Sequence, residues 1–398
     1  MTIGTRKYNV GGVILDRPFK VRRLGHFGYN TIESEACQRF YQELLGFKMS
    51  DPRPGFGGFF RYGSDHHAMV LGDRKAAEER AKSGPMARHY RPENDINQIT
   101  WQVQSLSEVT EATHYFRDLE IDIRNEGRAG GPGSNFHLYV FDPDDQIIEL
   151  YYGIEQIGWN GHAKPREMLH GMAEASREPH LSEYDEVQAD LAKGLDMMSG
   201  YRQEADLPAN YDVDGVLLAR PFKVTRIGPV NLFVDDLATA CEFYGDVMGF
   251  TESEEVDWQG EKAVFLRCNT EHHSVGLFPK ALRSKLGLTN ISSSMSFGLQ
   301  VATYRQLKNA VSFLRENGIR VETDLIPPEL HPGIDYAAYA FDPDGHCLEL
   351  YYQMEQVGWD GRVRPRELRP AVDPNNWPET IAAQSDSFGG EPFLGPWG

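Results

Sequence analysis

Apolar and polar positions alternate along Lys20–Tyr29 with the two-residue period of a strand whose two faces meet different surroundings. The period then changes. Ala36, Phe40 and Leu44 fall four apart, as do Cys37 and Tyr41, which draws one apolar stripe along a helix that Gly46 is placed to end. Short strands are predicted around Gly57–Tyr62 and His66–Leu71. The same pass starts again at a strand, Ile96–Val103, with a helix near Ser107–Leu119 and a closing hairpin of Phe136–Phe141 and Gln146–Tyr152. Asp142, Pro143, Asp144 and Asp145 join the hairpin, with Asp first and Pro second as a type I turn prefers.

The pattern is written twice. Val10–Val21 returns as Val213–Val224, and the Phe-Asp-Pro-Asp hairpin that ends at Tyr152 returns ending at Tyr352. Between Lys223 and Tyr352 the helices recur near Leu237–Met248 and Tyr304–Asn317. A repeat this long means two copies of one domain rather than an array of short units. The predicted fold is therefore α+β, with tandem βαβββ modules: four modules in two homologous domains. Residues 1–152 form the first domain and 213–368 the second. A linker, 153–212, carries a helix at Ser182–Met198, and the Pro-, Gly- and Ser-rich tail 369–398 reads as irregular. Gln156–Gly161 is echoed by Gln356–Gly361, and both extensions are expected to pack through Trp159 and Trp359.

The 398 residues suffice for two ordinary cores, and 40% hydrophobic with 25% charged residues is usual for a globular chain. A net charge of −19 argues against nucleic acid and anionic membranes as partners, since both need a basic face. A small anionic substrate stays open, because it needs only a local pocket. The four cysteines are widely spaced with no Cys-x-x-Cys, which suits reduced thiols and a cytoplasmic location. The first residues hold no apolar leader segment, and no run is long and apolar enough to span a bilayer.

Chemistry needs side chains that converge from separate strands. His26 and Gln98 stand early in the first strand of each module, and Glu149 stands in the last strand of the second module. Glu149 sits between Ile147-Ile148 and Leu150-Tyr151-Tyr152, where a carboxylate is costly unless paired or bound to metal. His26 has the alternative of a core histidine, and Gln98 that of an exposed strand glutamine. In the second copy the corresponding residues are Pro229, Ser296 and Glu349, and proline has no ligating side chain. Two further features occur in both copies: a double histidine, His66-His67 and His272-His273, read as opening a strand, and a tyrosine ten residues before the glutamate, Tyr139 and Tyr339. His331 has no counterpart in the first copy.

Tandem βαβββ units with Phe-Tyr-x-x-x-Leu-Gly-Phe and Phe-Asp-Pro-Asp-Gly-x-x-x-Glu-Leu-Tyr resemble the vicinal oxygen chelate superfamily. The Phe265–Ser274 stretch and the two-domain length are similar to the two-domain type I extradiol ring-cleaving dioxygenases. The likeness covers about residues 20–152 and 223–352. It implies cup-like barrels, a metal held by two histidines and a glutamate, and a substrate that chelates the metal through two adjacent oxygens. Fe(II) is the implied ion, with Mn(II) or Zn(II) as alternatives. The resemblance further implies an acid–base histidine at His67 or His273. It also implies substrate-orienting residues at Tyr139 or Tyr339 and at His331, with the second domain usually the active one.

This chain departs from that pattern in both copies. The second keeps His273, His331, Tyr339 and Glu349 but has neither metal histidine. The first keeps His26, His67, Tyr139 and Glu149, with Gln98 in place of the other imidazole. Glutamine ligates through its amide oxygen, as in the glyoxalases of the superfamily. The expectation is a metal-dependent dioxygenase with the first domain active, taking a small aromatic diol and O₂. His26, Gln98 and Glu149 would hold the metal, His67 would move a proton and Tyr139 would hydrogen-bond the substrate. An isomerase or lyase working without O₂, and a metal-free protein that binds an aromatic compound, are the alternatives. A homo-oligomer is compatible with the sequence.

Overall fold

The computed structural model describes residues 6–54, 57–158, 160–172, 182–204, 207–288, 292–357 and 360–382. Trp159, Trp359 and the tail beyond residue 382 lie outside them, so the expected packing of the two tryptophans is not among the described contacts. A small hairpin, β1 (Tyr8–Val10) and β2 (Val13–Leu15), precedes the first domain. Its strands are β3 (Arg23–Thr31), β4 (Lys48–Arg53), β5 (Gly57–Arg61), β6 (Met69–Asp73), β7 (Ile96–Gln102), β8 (Ile123–Arg128), β9 (Phe136–Phe141) and β10 (Ile147–Tyr152). A second hairpin follows the linker, β11 (Tyr211–Val213) and β12 (Val216–Leu218). The second domain repeats the set as β13 (Val224–Val234), β14 (Thr251–Trp258), β15 (Glu261–Arg267), β16 (Val275–Pro279), β17 (Ser294–Val301), β18 (Val321–Glu322), β19 (Ala337–Phe341) and β20 (Cys347–Tyr351).

Each domain is one eight-stranded mixed sheet. The first runs β4-β5-β6-β3-β7-β10-β9-β8 and the second β14-β15-β16-β13-β17-β20-β19-β18. The first strands of the two modules, β3 and β7, pair antiparallel at the centre, which places the modules in head-to-tail symmetry. No pairing joins β4 to β8 among the described residues, so the sheet is a cup open along one side rather than a closed barrel.

Several predicted elements shift. Each module also contains a strand that the apolar pattern did not announce, β4 in one and β8 in the other. Both are edge strands, and β4 carries Pro52, whose missing N–H is tolerated at an edge. The predicted helix after β3 is α-helical only over Ser34–Arg39 and continues as a wider π-helical turn over Phe40–Leu44. Its counterpart does the same over Leu237–Cys241 and Glu242–Val247. The linker helix is shorter than expected, Glu183–Ala192, capped by the Ser182 hydroxyl. The double histidines do not open a strand: they sit in the turn just before β6 and before β16.

The convex faces of the two sheets share one apolar core, which includes Phe27, Trp101 and Leu150 of the first domain and Phe297, Leu299 and Leu350 of the second. Phe27 stacks on Phe297 with ring centroids 4.2 Å apart. The turn aspartates of the two hairpins close the seam reciprocally. The Tyr41 hydroxyl donates to Asp342 at 3.2 Å, and the Tyr244 hydroxyl donates to Asp142 at 2.8 Å. This leaves the concave face of each sheet turned away from the other domain.

Candidate active site

Strand alternation decides what lines the first cup. On β7, Ile99 and Trp101 enter the shared core, so Gln98 and Thr100 face the cup. On β10, Ile148 and Leu150 enter the core, so Glu149 and Tyr151 face the cup. On β9, Leu138 and Val140 enter the core, which turns His137 and Tyr139 the same way. Register then assembles the group. His26 pairs with Thr100, Thr100 with Glu149, and Glu149 with Tyr139, all side by side across four strands.

His26, Gln98 and Glu149 meet. His26 Nε2 lies 3.0 Å from Glu149 Oε2, and the Gln98 amide nitrogen lies 3.3 Å from the same oxygen. The Thr100 hydroxyl donates to it at 2.8 Å, while the Asn135 amide donates to Oε1 at 3.1 Å. Glu149 is fully buried, His26 is 1% exposed and Gln98 9%. Burial alone raises a carboxyl, but the His26 imidazole beside it and the hydrogen bonds it accepts hold Glu149 below its ordinary range. The group is thus a buried carboxylate, not a carboxylic acid.

His67 stands over the site with its ring centroid 4.2 Å from that of His26. Its orientation comes from a relay. His66 Nε2 lies 2.9 Å from Asp51, and His66 Nδ1 lies 3.0 Å from His67 Nδ1. In the neutral His66 tautomer that donates Nε2–H to the Asp51 carboxylate, His66 Nδ1 accepts from His67 Nδ1–H. That leaves the lone pair of His67 on Nε2. Burial, and then the neighbouring His26, His66 and Arg53, push the His67 imidazolium well below its usual pKa, so the ring is neutral. Gly133 makes room for the pair: its φ of +86° suits glycine, and a Cβ there would sit 3.0 Å from His67 Nδ1. Tyr139, by contrast, is held well above its ordinary pKa by burial and by Glu149, and keeps its proton.

Four participants were not singled out in the sequence. Thr100 follows Gln98 by two on the same strand face, and Asn135 and His137 precede Tyr139 at the same two-residue step, so alternation carried their signal. Asp51 lies far from His66 in sequence, and nothing local announced it. His137 is buried, with Nε2 3.2 Å from the Asn125 amide.

The second cup assembles its counterparts around a different chemistry. The Tyr339 hydroxyl donates to Glu349 at 3.1 Å, and Asn231 donates to its other oxygen at 3.1 Å and to Ser296 at 2.8 Å. With no imidazole beside it, burial pushes the Glu349 carboxyl up to about 7. Glu254, His272 and His273 repeat the relay, and His331 is anchored through Nδ1 to the Ile334 carbonyl at 2.9 Å. The surroundings are apolar. The register pair Asn30–Gly72 of the first sheet is Phe233–Phe278 in the second, and His137–Tyr151 is Ala337–Tyr351. Phe233, Phe278, Met295 and Ala337 belong to a packed cluster that includes Tyr339.

A divalent ion gathers donors about 2.0–2.2 Å from itself, so neighbouring donor atoms stand roughly 3 Å apart. His26 Nε2 and the Gln98 amide each stand at that spacing from Glu149 Oε2, and the amide would have to turn to present its oxygen, an orientation that hydrogen bonding alone assigns. Among the described residues no three His, Cys, Asp or Glu side chains are placed to hold a metal ion. His26 Nδ1 is buried without a hydrogen-bond partner, which leaves that imidazole without the outer support that strengthens a ligand. A neighbouring cleft of about 390 Å³, lined by Asp65, Gln102, Arg128 and Tyr152 among others, does not include the cluster.

The chain belongs to the Glyoxalase/Bleomycin resistance protein/Dioxygenase superfamily, whose profile matches residues 23–174 and 226–350. Over 133 residues it is 29% identical to the 2,2',3-trihydroxybiphenyl dioxygenase of Sphingomonas paucimobilis. That stretch is 33% of this chain and 42% of the relative, so less than half of the relative's length is spanned. Among solved structures, the fold is shared with homoprotocatechuate 2,3-dioxygenase from Brevibacterium fuscum in complex with 3,4-dihydroxyphenylacetate (TM-score 0.55, 17% identity, 86% of this chain and 83% of that one). It is shared equally with the Mn(II)-bound glyoxalase from Novosphingobium aromaticivorans (TM-score 0.55, 17% identity, 86% and 85%). Among the described residues no helix is long and apolar enough to cross a membrane.

Proposed function

We propose that the first domain is a metal-dependent ring-cleaving dioxygenase site for a catecholic substrate. The observation that carries this reading is the convergence of His26, Gln98 and Glu149 on one point of the first cup, at 3.0 and 3.3 Å. These three side chains would hold Fe(II), with Mn(II) or Zn(II) as alternatives. When bound, the ion supplies a centre that acidifies two adjacent hydroxyls and brings O₂ beside the ring.

The remaining chemistry belongs to the protein. His67, neutral and with its Nε2 lone pair left available by the Asp51–His66 relay, accepts a proton from a substrate hydroxyl and returns it to the opened product. Tyr139 keeps its own proton and donates a hydrogen bond to a substrate oxygen. Asn135 and Thr100 hold Glu149 ionised and fixed in direction. Likeness to the trihydroxybiphenyl dioxygenase supports the reaction class. Oxygen consumption with catechol, coupled one to one to a ring-opened product, tests the proposal. A second reading rests on Gln98, whose amide suits a site that isomerises an oxygenated substrate without O₂. Turnover with no oxygen uptake would favour it.

A further inference from the structure

His137 is a buried imidazole of the first cup that the proposed chemistry leaves unused. It stands two residues before Tyr139 on β9 and on the same cup-facing side, since Leu138 and Val140 enter the shared core. Its ring centroid lies 5.0 Å from that of Tyr139. Across the ladder Tyr139 pairs with Glu149 and His137 pairs with Tyr151, so His137 is one diagonal step from the carboxylate. Side chains in that relation rise from neighbouring strands within reach of one small ligand.

The protonation pattern of the ring is set by a neighbour whose own orientation is fixed. The Asn125 side-chain oxygen accepts the backbone N–H of Glu126 at 3.0 Å, which turns the amide nitrogen to His137 Nε2, 3.2 Å away. An amide nitrogen only donates, so Nε2 accepts and the neutral ring carries its proton on Nδ1. Burial lowers the imidazolium below its ordinary pKa, against the pull of Glu149, in agreement with a neutral ring. Yet Nδ1 is buried with no hydrogen-bond partner among the described residues. The Asn135 carbonyl comes near the ring, but it is out of line with Nδ1 and already accepts the Ala129 N–H at 2.8 Å. A buried donor without an acceptor is costly, and native folds hold few of them. The second cup has Ala337 at the same ladder position, opposite Tyr351. The imidazole that stands beside Tyr339 there, His331, already has an acceptor for Nδ1 in the Ile334 carbonyl at 2.9 Å.

We propose that His137 is a further substrate-contacting residue of the first domain, and that its Nδ1–H donates a hydrogen bond to the substrate oxygen that becomes anionic when its proton passes to His67. The inference rests on the reading of this cup as a site for an aromatic diol, and it adds a second donor to that of Tyr139. A hydrogen bond to an oxygen strengthens as negative charge develops there, so His137 favours the deprotonated substrate over the neutral one.

The test is anaerobic titration of the full chain, loaded with Fe(II), with 4-nitrocatechol, a probe whose visible absorption reports its ionisation. His137→Phe keeps a ring and removes the donor. It is expected to bind the probe about tenfold or more weakly, and to raise the pH at which the bound probe ionises by about one unit. His137→Asn, which keeps an amide N–H near the place of Nδ1–H, should recover part of both. Equal affinity and equal ionisation pH in wild type and His137→Phe would overturn the proposal. Nitrogen-15 NMR of the wild-type histidine rings should find the His137 proton on Nδ1, and a proton on Nε2 alone would overturn it as well. Oxygen uptake with catechol separates this inference from the reading beneath it. Probe binding that depends on His137, without uptake, sinks the dioxygenase reading alone. Uptake and probe binding that His137→Phe both leaves unchanged sink the role of His137 alone. A wild type that does not bind the probe overturns both.

Discussion

Glu149 and Glu349 occupy the same place in the two sheets, each opposite a tyrosine across the ladder, yet only Glu149 faces an imidazole. One is held ionised and the other is pushed up to about 7, and the difference traces to single positions: His26 against Pro229, Gly28 against Asn231. In the second cup an asparagine amide and a tyrosine hydroxyl satisfy the carboxyl from within the fold. In the first, the equivalent of that asparagine is a glycine.

The raised Glu349 carboxyl makes folding pH-dependent. A carboxyl whose folded pKa lies above its unfolded one stabilises the fold below the ordinary glutamate range and loses that contribution as pH rises through about 7. The full excursion is about 3 kcal/mol. Glu349→Gln should therefore be more stable than wild type at pH 8, with the gain shrinking toward pH 5, as read from urea midpoints. A pH-independent difference would show that the carboxyl is not perturbed.

His67 and His273 head equivalent relays, one ending in Asp51 and the other in Glu254, but only His67 adjoins the proposed centre. Replacing His67 with Ala should lower turnover by about 10²–10⁴, the usual worth of a positioned acid–base group. His273→Ala should leave turnover unchanged. The reverse pattern would place the chemistry in the second domain.

Gln98 is the departure from two imidazoles. Gln98→His supplies the second imidazole, and bound Fe(II) should then survive dialysis against a chelator that strips wild type. Equal loss from both proteins would argue that residue 98 does not reach the ion.

Tyr244 joins the two domains through Asp142, which burial already pushes up to about 7. Tyr244→Phe leaves that buried carboxyl short of a donor and should cost about 1–3 kcal/mol of stability in denaturant unfolding. The specific activity of the folded fraction should not change, and a loss of activity at full stability would contradict a purely structural role.

The repeat, the helix stripes and the inner strands were legible because they are set by periodicity, and the core faces of β7 and β10 follow directly from Ile99-x-Trp101 and Ile148-x-Leu150. The edge strands β4 and β8 were not, since an edge strand with one face open needs no continuous apolar pattern, and Pro52 and Gly127 blur it further. The cluster of His26, Gln98 and Glu149 could be named because His26 and Gln98 stand in the same register of the two first strands, Glu149 is a carboxylate in an apolar strand, and all three fall on the motif of the superfamily that the chain resembles. Asp51 could not, because its link to His66 is made by a cross-strand fold and not by any spacing. The second cup's Glu349 needs donors of another kind, since neither metal histidine is present there. Tyr339, a candidate for other reasons, and Asn231 supply them.

Metal content decides the matter most directly. Full-length protein purified anaerobically and analysed by elemental mass spectrometry should carry about one divalent transition-metal ion per chain. The ion should be lost in His26→Ala and retained in Glu349→Gln. Equal metal in wild type and His26→Ala, or loss only on changing Glu349, would contradict the account.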